Sequence, residues 1–205
     1  MKKAMYILAI VTFCLFLIML INYEKKPFVD FDKAMSDLLF GNDLIGAFHI
    51  LGETTAIVFI ALILLFVLWL VQRNYRGMLF VLLTVGMGRV WNQLIKNWID
   101  RPRPELSNDL ASFSFPSGHA MIGLLYLFTI AYLLSEALME NKKVLIIWVI
   151  AIILTLLTGL SRIADSHHYA TDVTAGWCIG FTWFVICVAW YEKRNQKLNK
   201  VIDNT

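Results

Sequence analysis

The 205 residues predict an all-α integral membrane protein: a six-transmembrane-helix bundle with an interfacial amphipathic helix in the first outer loop. Two observations predict it. Hydrophobic residues make up 59% of the chain and charged residues only 16%, with a mean hydropathy of +0.68, whereas soluble domains carry about 25% charged residues. The apolar residues also fall into six runs, 4–21, 54–71, 77–95, 117–135, 144–161 and 173–191, each near the ~20 residues that cross the hydrocarbon layer as a helix. Helix is favoured because backbone N–H and C=O groups must pair within the segment. The runs do not alternate with polar residues, as the strands of a membrane barrel would. The length suits one domain, 1–205.

The first run opens like a signal peptide, with Lys2 and Lys3 before an apolar stretch. That stretch exceeds the usual ~7–15 residues and ends in Asn22-Tyr23-Glu24-Lys25 without a small-residue cleavage site. It reads as an uncleaved span. The connection 22–53 contains DFDKAMSDLLFGN, in which Phe31, Ala34, Met35, Leu38 and Leu39 recur at helical spacing. Asp30 is the expected cap and Gly41 the expected end. Such a helix lies in the interface with its apolar face toward lipid, close to where a lipid would approach. Arg89 interrupts the third span past its middle and must face the bundle or reach outward to the surface.

Basic residues set the orientation. Lys2, Lys3, Arg73, Arg76, Lys142, Lys143 and the tail Lys193, Arg194, Lys197 and Lys200 fall on one side of a six-span chain. That side is read as cytoplasmic, with both termini there. The opposite loops are 22–53, 96–116 and 162–172. A net charge of +3 is too small to suggest nucleic acid, and no protein partner is implied. Cys14, Cys178 and Cys187 lie inside apolar runs without metal-ligand spacing and read as structural thiols.

Three polar clusters share the outer boundary: KNWIDRPRP (96–104), PSGH (116–119) and SRIADSHHYATD (161–172). Lys96, Arg103 and Arg162 supply cations suited to an anion, the arginines offering a planar fork to phosphate oxygens. A helix starting near Ser117 presents unpaired N–H groups and its positive dipole end. Ser117 adds a hydroxyl and Gly118 permits close approach. A bound phosphate dianion favours protonated His119, which suits a general acid. His168 and Asp172 are four residues apart. On one helical face, Asp172 would hold one imidazole nitrogen and leave the other free as a nucleophile.

These clusters resemble the signature of the type 2 phosphatidic acid phosphatase superfamily, which also includes vanadium-dependent haloperoxidases. The pattern KxxxxxxRP is matched by Lys96, Arg103 and Pro104. PSGH is matched by Pro116, Ser117, Gly118 and His119, and SRxxxxxHxxxD by Ser161, Arg162, His168 and Asp172. The resemblance implies that His168 attacks phosphorus, Asp172 orients it, and His119 protonates the leaving oxygen and then activates water. It implies that Lys96, Arg103, Arg162, Ser117 and the Gly118 amide hold the phosphoryl oxygens, and that neither cofactor nor metal is needed. The expected substrate is a phosphorylated membrane lipid, taken from the bilayer at the extracytoplasmic face of a bacterial cell membrane. Phosphatidylglycerol phosphate is favoured and undecaprenyl diphosphate is second; phosphatidic acid and diacylglycerol pyrophosphate are further alternatives.

A lipid-binding or lipid-transport protein is the competing class, but such proteins place polar sites near the midplane. The remaining ionisable residues read as bland: His49 as interfacial packing, and His167, Asp100, Glu105, Asp109 and Asp165 as solvated loop groups.

Overall fold

The computed structural model describes residues 2–105, 107, 112–138 and 140–202; Asp109 lies outside them. Among the described residues every regular element is helical. In chain order these are α1 (Lys2–Asn22), α2 (Lys26–Leu39), the short α3 (Asp43–Gly46), a 3-10 segment (Ala47–Gly52), α4 (Thr54–Leu70) and α5 (Tyr75–Val81). A π segment (Leu82–Gly86) then leads into α6 (Met87–Ile99), followed by α7 (Gly118–Ala137), α8 (Asn141–Ala164) and α9 (Ala170–Ile202).

Five of the predicted runs lie in helices long and apolar enough to cross a membrane: Lys3–Asn22, Tyr75–Ile99, Gly118–Ala137, Asn141–Ala164 and Ala170–Arg194. The sixth differs. Thr54–Leu70 has 17 residues, about 25 Å at 1.5 Å per residue, somewhat short of a ~30 Å core. It qualifies as a span together with Asp43–Gly52, from which it bends by 48°.

Burial identifies the central post. In α7, 56% of the span is enclosed, against 17% in α1. α7 packs on α8 and α9, and α1 packs on the outside of α9. Apolar side chains of α1, α4 and α8 such as Ile10, Phe59 and Leu145 stand exposed, as a lipid-facing surface requires. The core holds an aromatic cluster in which Phe128 meets Phe184 edge-on at 5.5 Å and Phe80 tilts against Tyr191 at 5.0 Å. The π segment frees backbone carbonyls, and the Trp183 indole donates to the Leu83 carbonyl at 2.9 Å. Nearby, Thr129 donates to the Thr84 hydroxyl at 2.9 Å, and Thr84 to the Phe80 carbonyl at 2.8 Å.

α7 and α9 touch through backbone. A Cβ on Gly176 would sit 2.7 Å from the Ser117 carbonyl oxygen, and one on Gly180 would sit 3.1 Å from that of Met121. Small residues four apart allow this approach. The N-terminal ends of the two helices therefore lie side by side, with the Ser117 N–H donating to the Asp172 carbonyl at 3.0 Å.

α2 departs from expectation in two ways. It begins at Lys26 with a proline in its first turn, so Asp30 is inside the helix rather than its cap. Its apolar stripe is also split. Phe28, Met35 and Leu39 pack on the bundle, whereas Phe31, Ala34 and Leu38 are exposed. Asp32 is buried on the inward side. Gly41 ends the helix as expected, with φ of 74°.

Candidate active site

The three clusters meet at one end of the bundle, each placed by a helix terminus. α6 ends at Ile99, with Asp100 in the left-handed conformation at φ 59°. Lys96, in its last turn, is buried and donates to the Phe113 carbonyl at 2.6 Å. Beyond it the chain runs through the Pro102 and Pro104 segment without helix. There Arg103 donates through Nε to the Ser112 carbonyl at 3.0 Å, through Nη2 to the Ser112 hydroxyl at 2.6 Å and through Nη1 to the His167 carbonyl at 3.0 Å.

Helix α7 starts at Gly118, as the sequence predicts, and Ser117 caps it by accepting from the Ala120 N–H at 3.4 Å. The Ser117 oxygen thus serves its own helix, and its O–H remains a donor. The preceding Phe115–Pro116 bond is cis. Gly118 has a second constraint that the sequence did not disclose. Its missing Cβ would lie 3.2 Å from Asn92 Oδ1, and Asn92 donates to the Pro116 carbonyl at 3.2 Å. Asn92 therefore fixes the approach of α6 to the start of α7.

His119 lies over the backbone of Gly52, where a Cβ would run into its ring. Its Nε2 is 3.5 Å from Glu53 Oε1, at the head of α4.

His168 is held differently. It precedes α9, so its closeness to Asp172 is not that of two residues on one helical face. The C-terminal turn of α8 supplies the Arg162 carbonyl, which accepts the N–H groups of His167 and His168 at 3.0 and 3.1 Å. Asp172 turns back to accept the Tyr169 N–H at 2.9 Å, the acidic half of a capping box. That leaves Asp172 Oδ2 3.4 Å from His168 Nδ1. On the other side of the ring, Nε2 faces Arg103 Nη1 at 3.4 Å. A guanidinium only donates, and a carboxylate only accepts. The proton therefore belongs on Nδ1 and the lone pair on Nε2. The Arg103 contact is a long hydrogen bond, whereas Nδ1 is buried beside Asp172 without hydrogen-bond geometry; catalytic contacts are commonly loose before substrate binds. Burial, followed by the charges of Lys96, Arg103, Arg162 and His167, pushes the His168 pKa well below the ordinary histidine value. The imidazole is neutral at neutral pH.

Arg162 is buried in the last turn of α8, with Nη1 3.4 Å from Asp165 Oδ2. His49 Nδ1 pairs with the Gly46 carbonyl oxygen at 2.9 Å, and His167 Nδ1 with that of Asp165 at 2.9 Å. Both are local turn contacts.

Sequence reasoning missed Arg101, Asp32 and Thr171. Arg101 donates to Asp172 Oδ1 at 2.6 Å and to the Thr171 hydroxyl at 2.7 Å through Nη1, and to Asp32 Oδ2 at 2.9 Å through Nη2. Its guanidinium is stacked between the rings of Tyr23 and Tyr169, 4.6 and 4.1 Å from their centroids. Asp32 also accepts the Thr171 N–H at 2.7 Å and its hydroxyl at 2.9 Å, stabilising the first turn of α9. The available signal was a carboxylate at helical spacing with Phe28, Met35 and Leu39.

Two cavities flank the site. One, of about 520 Å³, lies beside α2 and is lined by His168, Arg101, Asp32, Tyr23 and Tyr169 among others. The second, of about 550 Å³, is an apolar groove between α4 and the α5–α6 segment, running from Thr54 past Ile57 and Leu62, with Arg89 and Gln93 on its wall.

Residues 74–196 match the family model of the PAP2 superfamily. Phosphatidylglycerophosphatase B of Bacillus subtilis (strain 168) is 35% identical over 127 residues, 60% of this chain and 61% of that protein's length. Undecaprenyl-diphosphatase BcrC of the same organism is 33% identical over 166 residues, 74% of this chain and 80% of that protein. The crystal structure of a transmembrane PAP2-type phosphatidylglycerolphosphate phosphatase from Bacillus subtilis superposes with a TM-score of 0.82 at 28% identity, covering 90% of this chain and 96% of that one.

Proposed function

This chain belongs to the PAP2 superfamily, and on that premise we propose that it is a multi-pass membrane lipid phosphatase working through a phosphohistidine. Phosphatidylglycerol phosphate is the substrate in this reading, converted to phosphatidylglycerol and phosphate. The observation that carries it is the setting of His168, with Asp172 at Nδ1 and Arg103 at Nε2. A binding protein has no use for an imidazole whose lone pair is fixed toward an anion site.

In the first step His168 Nε2 bonds to phosphorus while the bond from phosphorus to the lipid oxygen breaks. His119 gives that oxygen a proton. In the second step neutral His119 takes a proton from water, whose oxygen displaces His168 and releases phosphate. Lys96, Arg103, Arg162, the Ser117 hydroxyl and the Gly118 N–H bind the phosphoryl oxygens. A single preorganised donor of this kind contributes about 2.7–4 kcal/mol in the transition state. No metal enters this scheme, an assumption that chelation tests.

In-line displacement places the leaving oxygen opposite His168, on the His119 side. Glu53 and the head of α4 lie there, and the apolar groove begins one residue on, at Thr54. The lipid chains accordingly lie between α4 and the α5–α6 segment rather than under α2. The alternation of basic loops supports an extracytoplasmic site with both termini cytoplasmic, in a bacterial cell membrane.

The test is phosphate release by purified protein in detergent with EDTA. Phosphatidylglycerol phosphate, undecaprenyl diphosphate and phosphatidic acid are compared, with His168→Ala as control. Turnover that survives EDTA and is lost in the variant is expected. The likeness to an undecaprenyl-diphosphatase over 74% of the chain keeps that lipid as the second reading, and the ranking decides. No turnover on any lipid by folded protein sinks the phosphatase reading.

A further inference from the structure

We propose that Arg101 and Asp32 are positioning residues for catalysis: shared between two carboxylates, the Arg101 guanidinium sets the orientation and residual charge of Asp172, and through it the His168 nucleophile. This rests on the phosphatase reading above. It also makes α2 a structural part of the catalytic apparatus.

Asp172 is fully buried, and an ionised carboxylate there needs a partner. His168 alone does not provide one, because its imidazole is neutral before reaction. Arg101 does, at 2.6 Å from Oδ1. A single arginine on a single aspartate would neutralise it and blunt its attraction for His168 Nδ1–H. Here the same guanidinium also holds Asp32 at 2.9 Å. With both carboxylates ionised, the trio Asp32–Arg101–Asp172 carries two negative charges and one positive. One net negative charge remains to stabilise the imidazole as Nε2 bonds to phosphorus and the ring becomes positive. Geometry adds to charge. The planar fork spans both carboxylates, and the flanking rings of Tyr23 and Tyr169 fix its plane. With Arg101 on Oδ1, only Oδ2 is left to face the imidazole.

The cavity of about 520 Å³ that Arg101 lines makes the test possible. Deleting the side chain leaves a slot between two aromatic rings that a free guanidinium ion can reach. In full-length protein in detergent, R101A is expected to lose kcat roughly tenfold to a hundredfold, by analogy with the outer-shell groups that orient metal-ligating histidines. KM should stay near the wild-type value. Added guanidinium chloride at millimolar levels should restore kcat saturably, while sodium chloride and urea at the same concentrations should not. D32N keeps the shape and one acceptor, and should reduce kcat about tenfold by the same argument, with slower build-up of acid-quenched, radiolabelled phosphohistidine. An R101A protein that turns over like wild type, or one that is folded, slow and unmoved by guanidinium, overturns the proposal. If R101A does not fold, D32N decides: kcat unchanged overturns it. Failure of the wild type to release phosphate would instead sink the underlying phosphatase reading.

Discussion

The two histidines of the site are built to different standards. His168 is approached from several sides: Asp172 lies 3.4 Å from one nitrogen, Arg103 contacts the other, the Arg162 carbonyl accepts its backbone N–H, and Arg101 and Asp32 stand behind. His119 has Gly52 backbone beneath it and a single carboxylate 3.5 Å away, on a glutamate that is half exposed. A nucleophile must present one lone pair along one line, so its tautomer and angle are fixed from several sides. A proton donor must follow an oxygen that departs with its lipid, and the His119 side chain is 20% exposed against 2% for His168. In the proposed mechanism, rigidity is concentrated where a bond is made, and latitude is left where one is broken.

The sharpest way to break that comparison is to remove each histidine. His168→Ala should lose kcat by on the order of 10⁴-fold or more, and no substrate should recover it. Asp172→Asn should follow, with a loss of up to ~10⁴-fold, because the imidazole then loses the partner that selects its tautomer. His119→Ala should cost about 10²–10⁴-fold on a lipid alcohol, the range for one general acid. It should cost far less on p-nitrophenyl phosphate, whose leaving group needs no proton. Equal losses on both substrates would show that His119 is not the acid.

Smaller effects sharpen the picture. Ala61→Trp in the α4 groove should raise KM for long-chain lipids and leave p-nitrophenyl phosphate untouched; the reverse would place the chains elsewhere. Because His168 must be neutral to attack and its pKa lies well below the ordinary value, kcat/KM should not decline as pH falls through ~6.5 on account of this residue. The same shift means that the unfolded chain takes up a proton there first. Folded stability should therefore decline as pH falls below ~6.5, which a thermal-melt series from pH 7.5 to 5 would detect.

Much of this was legible in the sequence, for reasons that differ by residue. The spans were visible because lipid demands long uninterrupted apolar runs. His119, His168 and the cations were visible because their spacing repeats a known signature. The helix start near Ser117 was legible because Pro-Ser-Gly stands where a long apolar run begins. What stayed hidden depended on contacts between segments far apart in the chain. Asp32 meets Thr171 across 139 positions. A carboxylate on a half-apolar helix gives no sign of which partner it will find. The stripe Phe31–Ala34–Met35–Leu38–Leu39 was real, but it could not say that the bundle would claim Met35 and Leu39 and leave Phe31 and Leu38 outside. Nor could spacing alone reveal that His168 and Asp172 meet across a helix cap rather than along a helix.

The contact of α7 with α9 at Gly176 and Gly180 has a mechanical consequence. Backbone rests on backbone there, with only the Ala120 methyl and the Met121 side chain alongside. His119 and Asp172 are therefore carried on what amounts to a single rigid beam. If the molecule breathes to admit a lipid, the hinge has to lie at its periphery, where α4 bends or α2 is clamped. The separation of His119 from Asp172 stays constant while the walls around them give way.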